Sequence, residues 1–166
     1  MITIRRNNPG NIRKVTGQSW QGEIPGTVAP NFVTFDTLVY GYRAQIKLLN
    51  NYVKRGYNTL DSILNRWAPP SDNNPTEKYI EFVSQKTGIG PRAAIVADDY
   101  NTLSNVALNM SLFEHGVQAD DGTLTAAIKT AIGILTGAAQ SIVEVAKNNP
   151  IKTVLIIGLA LYLLSD

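Results

Sequence analysis

Through residues 38–115 apolar positions recur at helical spacing. Tyr42, Ile46, Leu49 and Val53 fall on one face of a 3.6-residue period and predict an amphipathic helix over about residues 38–54, stopping near Gly56. Thr59 is a suitable N-cap for a second, short helix carrying Leu60, Ile63, Leu64 and Trp67. Pro69-Pro70 must end it, since proline lacks the amide hydrogen and disfavours a helical residue before it. Thr76 opens a third helix with Tyr79, Phe82 and Val83, and Glu77 suits its first turn. A fourth carries Leu103, Val106, Ala107 and Met110 and ends at His115 before Gly116.

Residues 1–35 have no such period. Asn7-Asn8-Pro9-Gly10 is a turn cluster, and Gly17, Gly22, Pro25, Gly26 and Pro30 interrupt the stretch up to Phe32. Phe32-Val33-Thr34-Phe35 reads as a short β-like run, so a small lobe of loops with a few strands or a hairpin is expected.

Past Gly116 the pattern changes. Residues 116–122 are polar, end in glycine and read as a linker. Ile128, Ile132, Leu135, Ile142 and Val145 then mark an amphipathic helix over residues 123–149, broken by Asn148-Asn149-Pro150. The last segment, 150–166, is apolar on all sides apart from Lys152 and its end. At 1.5 Å per residue it spans roughly 24 Å, a little less than a bilayer core of about 30 Å. A membrane or protein-buried anchor is expected, with Lys152 and Tyr162 at its interfaces, against the alternative of a soluble core helix.

Composition narrows the chemistry. There is no cysteine and one histidine, so disulfides, thiolate catalysis and a His/Cys metal centre are excluded, and no metal or cofactor is expected. Charge is uneven: residues 1–55 hold eight Lys/Arg against Glu23 and Asp36, while the remainder is net acidic. A basic half suits an anionic polymer or surface, or is simply a solvated face. No ladder of aromatic and basic residues points to single-stranded nucleic acid, and no specific nucleic-acid partner is expected. The first ten residues lack the apolar run of a secretory signal.

An ordered set of short motifs runs through residues 5–87. It begins with Arg6-Asn7-Asn8-Pro9-Gly10-Asn11-Ile12-Arg13 and Trp20-Gln21-Gly22. Phe32-Val33-Thr34-Phe35 and Gly41-Tyr42-Arg43-Ala44 come next, then Trp67-Ala68-Pro69-Pro70 with Asp72, Asn73, Thr76 and Tyr79. The set resembles phage and prophage peptidoglycan hydrolases of the lysozyme-like superfamily, and bacterial glucosaminidases of the flagellar-muramidase kind. The resemblance implies an α+β, mostly α, lysozyme-like domain over residues 1–115. It implies a sugar-binding cleft faced by residues 7–13 and 67–79. In those enzymes the catalytic glutamate ends a helix just before the Asn-rich loop. Here that loop starts almost at Met1, so the preceding helix and its acid are absent.

Glycosidic cleavage needs a protonated carboxyl for the leaving oxygen, usually with a second carboxylate. Glu23, after the Trp20 motif, and Asp72, in the Trp67 element, are the candidates, with Glu77 behind them. Each has an ordinary reading as well: a solvated loop acid, a turn residue and a helix-dipole partner. Asn7, Asn8, Asn11 and Arg13 suit N-acetyl sugars, Trp20 and Trp67 can stack on sugar faces or fill the core, and Tyr79 can bond substrate or a carboxyl. The expected function is a membrane-anchored, virion-associated peptidoglycan hydrolase or lytic transglycosylase acting in genome entry or lysis. Its partners would be glycan strands, lipid through residues 151–165, and capsid or vertex proteins. The alternative is a non-catalytic structural membrane protein of a membrane-containing capsid whose lysozyme-like domain binds the wall. Binding of nucleic acid or a membrane surface by the basic half ranks third.

Overall fold

The structure, a computed structural model, describes residues 4–26, 31–116, 120 and 122–148, with side chains of the last helix as far as residue 136. Among the described residues, five α-helices come after an irregular N-terminal segment: α1 (Leu38–Lys54), α2 (Leu60–Trp67), α3 (Thr76–Thr87), α4 (Tyr100–Glu114) and α5 (Thr123–Asn148). Single 3-10 turns lie at Arg5–Asn7 and Pro70–Asp72.

Local chemistry sets the helix ends. The Thr37 hydroxyl accepts the Tyr40 amide at the start of α1. Thr59 and Ser62 form a reciprocal capping box on α2, and Asp99 accepts the Thr102 amide on α4. Asp120 receives the Leu124 and Thr125 amides at the start of α5. Gly88, left-handed at φ 73°, ends α3. Thr76, expected as a cap, does something else. Pro75 precedes the helix without a side-chain cap, and the Thr76 hydroxyl donates to the Ala68 carbonyl at 2.6 Å. That bond ties the end of α2 to the start of α3.

One main core joins all five helices. Tyr42, Ile46 and Leu49 of α1 meet Leu60, Ile63 and Leu64 of α2, Val83 of α3, Leu103, Val106 and Met110 of α4, and Leu124 and Ile128 of α5. Each such aliphatic side chain contributes about 1.5–3 kcal/mol when fully withdrawn from water. A smaller cluster of Ile12, Val33, Phe35 and Ala44, flanked by Trp20, Tyr40 and Trp67, fixes the N-terminal segment to α1.

The expected α+β fold with a membrane-anchoring helix is corrected on both counts. Among the described residues there are no strands, only isolated antiparallel bridges at Arg13 with Phe32 and Glu23 with Phe35. Left-handed turns at Gly17, Gly22 and Gly26 interrupt the pairing before a ladder can extend. Side chains join the scattered backbone bonds, such as that from the Val33 amide to the Ile12 carbonyl: the Asn7 amide donates to the Phe35 and Asp36 carbonyls, and the Asn8 amide to those of Ile12 and Val33. For the anchor, no helix among the described residues is long and apolar enough to cross a membrane. α5 carries Lys129, and its first half is committed to the core through Leu124, Ile128 and Ala131. Residues 150–166, read as the anchor, lie outside the described residues.

Candidate functional site

The Asn-rich loop is built against α1. Asn8 is 2% exposed; besides its two donated bonds, its carbonyl oxygen accepts the Ile12 amide at 2.8 Å. Asn7 and Asn11 take left-handed φ values of 51° and 49°, which asparagine tolerates better than most residues. The loop lies so close to α1 that a Cβ on Gly41 would collide with the Asn7 carbonyl and come within 2.6 Å of Pro9 Cδ. Gly10 is confined by side chains: a Cβ there would come within 2.7 Å of the Trp67 ring and 2.9 Å of Gln45 Cδ. The glycines of the Asn-Pro-Gly and Gly-Tyr-Arg-Ala motifs are therefore packing requirements.

Residues far apart in sequence meet here. Asn11 donates through Nδ2 to Glu114 Oε2 at 2.9 Å, across 103 residues. The Tyr79 hydroxyl donates to Glu114 Oε1 at 3.0 Å and is 3.2 Å from the Met110 carbonyl. Tyr79 is buried and stacks on Phe113, with ring centroids 4.1 Å apart. Burial, then the Glu114 charge, pushes its hydroxyl well above the ordinary phenol range, so it stays a donor. Glu114 is the last residue of α4 and half-buried. His115 comes next, bonded to the Pro9 carbonyl; burial lowers its pKa, while the Glu114 charge works the other way.

Glu114 lies in an open cleft of about 380 Å³ whose walls include Asn11, Arg13, Trp67, Asp72 and Asn74. Arg13 and Asp72 face each other at 3.8 Å, both largely exposed. Of the residues singled out from sequence, Asn11, Arg13, Trp67 and Asp72 come together here. Asn7, Asn8 and Tyr79 support the cleft from inside, their polar groups engaged by the protein. Trp20 lies in an adjoining groove with Asn11, Arg13 and Trp67. Glu23 lines neither space: its carboxylate accepts the Trp20 amide at 3.0 Å and closes a turn. Glu77 is exposed on α3 and lines other surface pockets. Among the described residues no cluster of His, Asp and Glu is arranged to hold a metal ion.

Glu114 is the residue that sequence reasoning missed. One signal was available. An acid in the last turn of a helix opposes the macrodipole, at a cost of about 0.3–1 kcal/mol, and so invites the question of what holds it there.

No family model matches the chain. Over 110 residues it is 37% identical to Protein P5 of Pseudoalteromonas phage PM2, an alignment covering 64% of this chain and 68% of that protein. At that identity and coverage, this chain belongs to the bacteriophage protein family of PM2 Protein P5.

Proposed function

We propose that this phage protein is a virion component that cleaves the glycan strands of peptidoglycan, with Glu114 as the proton donor. The observation that carries the reading is the Glu114 carboxyl itself. It is held from beneath by Tyr79 and from the side by Asn11, in a cleft that also presents Asp72, Arg13 and an indole. In cleavage, Glu114 in its acid form gives its proton to the leaving glycosidic oxygen as that oxygen parts from the anomeric carbon; water adds there in a hydrolase, or a hydroxyl of the same sugar in a transglycosylase, and Asp72, the second carboxylate of the cleft, accepts the proton the nucleophile gives up. Trp67 offers an apolar face to a sugar ring. The resemblance of the motifs to lysozyme-like enzymes supports the substrate class. In those enzymes the acid precedes the Asn-rich loop in sequence, so Glu114 is put forward on the geometry of the cleft alone.

A second reading, a wall-binding protein without catalysis, is favoured by one observation: both Glu114 oxygens already accept bonds from the protein. Muropeptide release from purified peptidoglycan by the full chain separates the two. The parent is expected to release fragments, anhydro-sugar ends marking a transglycosylase and reducing ends a hydrolase. Glu114→Gln should lose about 10²–10⁴-fold, the usual weight of a general acid, while Glu23→Gln retains activity. A folded parent that binds wall and releases nothing, or a Glu114→Gln variant as active as the parent, overturns the catalytic reading.

A further inference from the structure

Beside the Glu114 cleft lies the second groove, of about 450 Å³. The two share Asn11, Arg13, Arg66 and Trp67, so they form one continuous trough with those residues at its waist. Arg13 and Arg66 serve both halves, and the two are distinguished by their acids and by Arg55. The Glu114 half contains two carboxylates, Glu114 and Asp72. The other half is lined by Arg13, Arg55 and Arg66 and by no acidic residue. Its aromatic surface comes from Trp20, Tyr52 and Trp67.

Of the three, Arg66 is held in place by neighbouring rings. The Arg66 guanidinium lies over the rings of Tyr52 and Tyr57, 5.1 and 4.9 Å from their centroids. Tyr52 in turn meets Trp67 edge-on at 6.2 Å. Stacking on two rings holds the planar fork in place, so less freedom is lost when it binds a ligand. Arg55 comes from the C-terminal end of α1 and Arg66 from the last turn of α2. Both helix ends direct negative backbone dipoles toward these side chains, consistent with cations there.

We infer that this groove is a carboxylate-binding subsite, which takes the acidic peptide stems of a peptidoglycan strand whose sugars occupy the Glu114 half. The inference rests on the glycan reading of that cleft and names what sets its specificity. Guanidinium groups recognise carboxylates through paired, charge-assisted hydrogen bonds. Tryptophan and tyrosine faces cover the apolar parts of sugar and peptide. Continuity of the two halves lets one strand occupy both.

The test uses the full chain as Glu114→Gln, so that binding is read without turnover, and titrates purified wall glycan oligosaccharides with and without their peptide stems. Stem-bearing glycan should bind about tenfold more tightly, as expected for one well-formed charge-assisted pair. Adding Arg55→Gln should erase that preference, whereas the distant Lys129→Gln control on α5 should keep it. In the active chain the Arg55→Gln loss should fall on KM for stem-bearing wall rather than on kcat. Arg66→Gln serves as a second probe, with its fold checked by circular dichroism.

Equal affinity for the two glycans, or a preference that survives both arginine variants, overturns the subsite. Tighter binding of a single-stranded DNA 12-mer, lost in Arg55→Gln, would overturn it in favour of a phosphate backbone. Binding of neither glycan would overturn the glycan reading beneath it. Arg55-dependent stem preference without turnover supports the subsite while removing catalysis.

Discussion

Gly41 joins the fold to the cleft, and replacing it with alanine tests that junction. In an open helix the change would stabilise, because alanine exceeds glycine in helix propensity by about 1 kcal/mol. At Gly41 the added carbon runs into the Asn7 backbone carbonyl and Cδ of the Pro9 ring, which is closed onto its own backbone nitrogen, so no rotamer change moves either aside. Overpacking of this kind costs about 1–3 kcal/mol, and rigid partners put it at the upper end. Net of the propensity gain, Gly41→Ala should destabilise by about 2 kcal/mol, a drop in Tm of about 4–8 °C for a domain this size. Gly133→Ala supplies the control: that glycine sits on α5 with nothing within 4 Å, so the same change should raise Tm by about 2–4 °C. Displacing residues 7–9 should also pull Asn11 from Glu114, so wall binding or release should fall further than stability explains. Calorimetry of both variants beside a pull-down on peptidoglycan reads both effects. If Gly41→Ala gains stability as Gly133→Ala does, and still binds wall, then the tight seating of the loop on α1 is wrong.

Two more substitutions probe the same corner. Asn8→Ala removes three hydrogen bonds at a nearly fully buried residue and strands the Ile12 amide and the Val33 carbonyl, while the Ile12 carbonyl keeps the Val33 amide. It should cost about 2–4 kcal/mol in urea denaturation. His115 is held below its ordinary pKa of 6.5 chiefly by burial. Its proton therefore binds the unfolded chain more readily, so its contribution is fully present above pH 6.5 and is lost as pH falls through the lowered value. The urea midpoint should decline from pH 7 to 5 in the parent and less in His115→Gln; parallel profiles would refute this.

The helices were legible where local rules decide. The period of Tyr42, Ile46, Leu49 and Val53, and the cap at Thr59, belong to short stretches of chain, and α1 and α2 obey them. The N-terminal lobe misled because Phe32-Val33-Thr34-Phe35 has strand composition, yet its Val33 and Phe35 carbonyls are taken by the side chains of Asn8 and Asn7, 25 or more residues away. Thr76 looked like a cap, but its hydroxyl bonds a carbonyl eight residues back. The cleft was half legible. Motif order pointed to Asn11, Arg13, Trp67 and Asp72. Glu114 stayed hidden because its meaning comes from Asn11, Tyr79 and tertiary packing, none of them its sequence neighbours. Arg55 and Arg66 were hidden likewise: separate helix ends deliver them to one groove.

The 103-residue span between Asn11 and Glu114 also has a consequence in time. A chain emerging from the ribosome at about 5–20 residues per second presents the Asn-rich loop many seconds before the carboxylate. Until α4 is made, the cleft lacks the Glu114 carboxylate, and a chain interrupted before residue 114 never acquires it. Any ligand that needs the Glu114 carboxylate therefore has to wait until the chain has been made through α4.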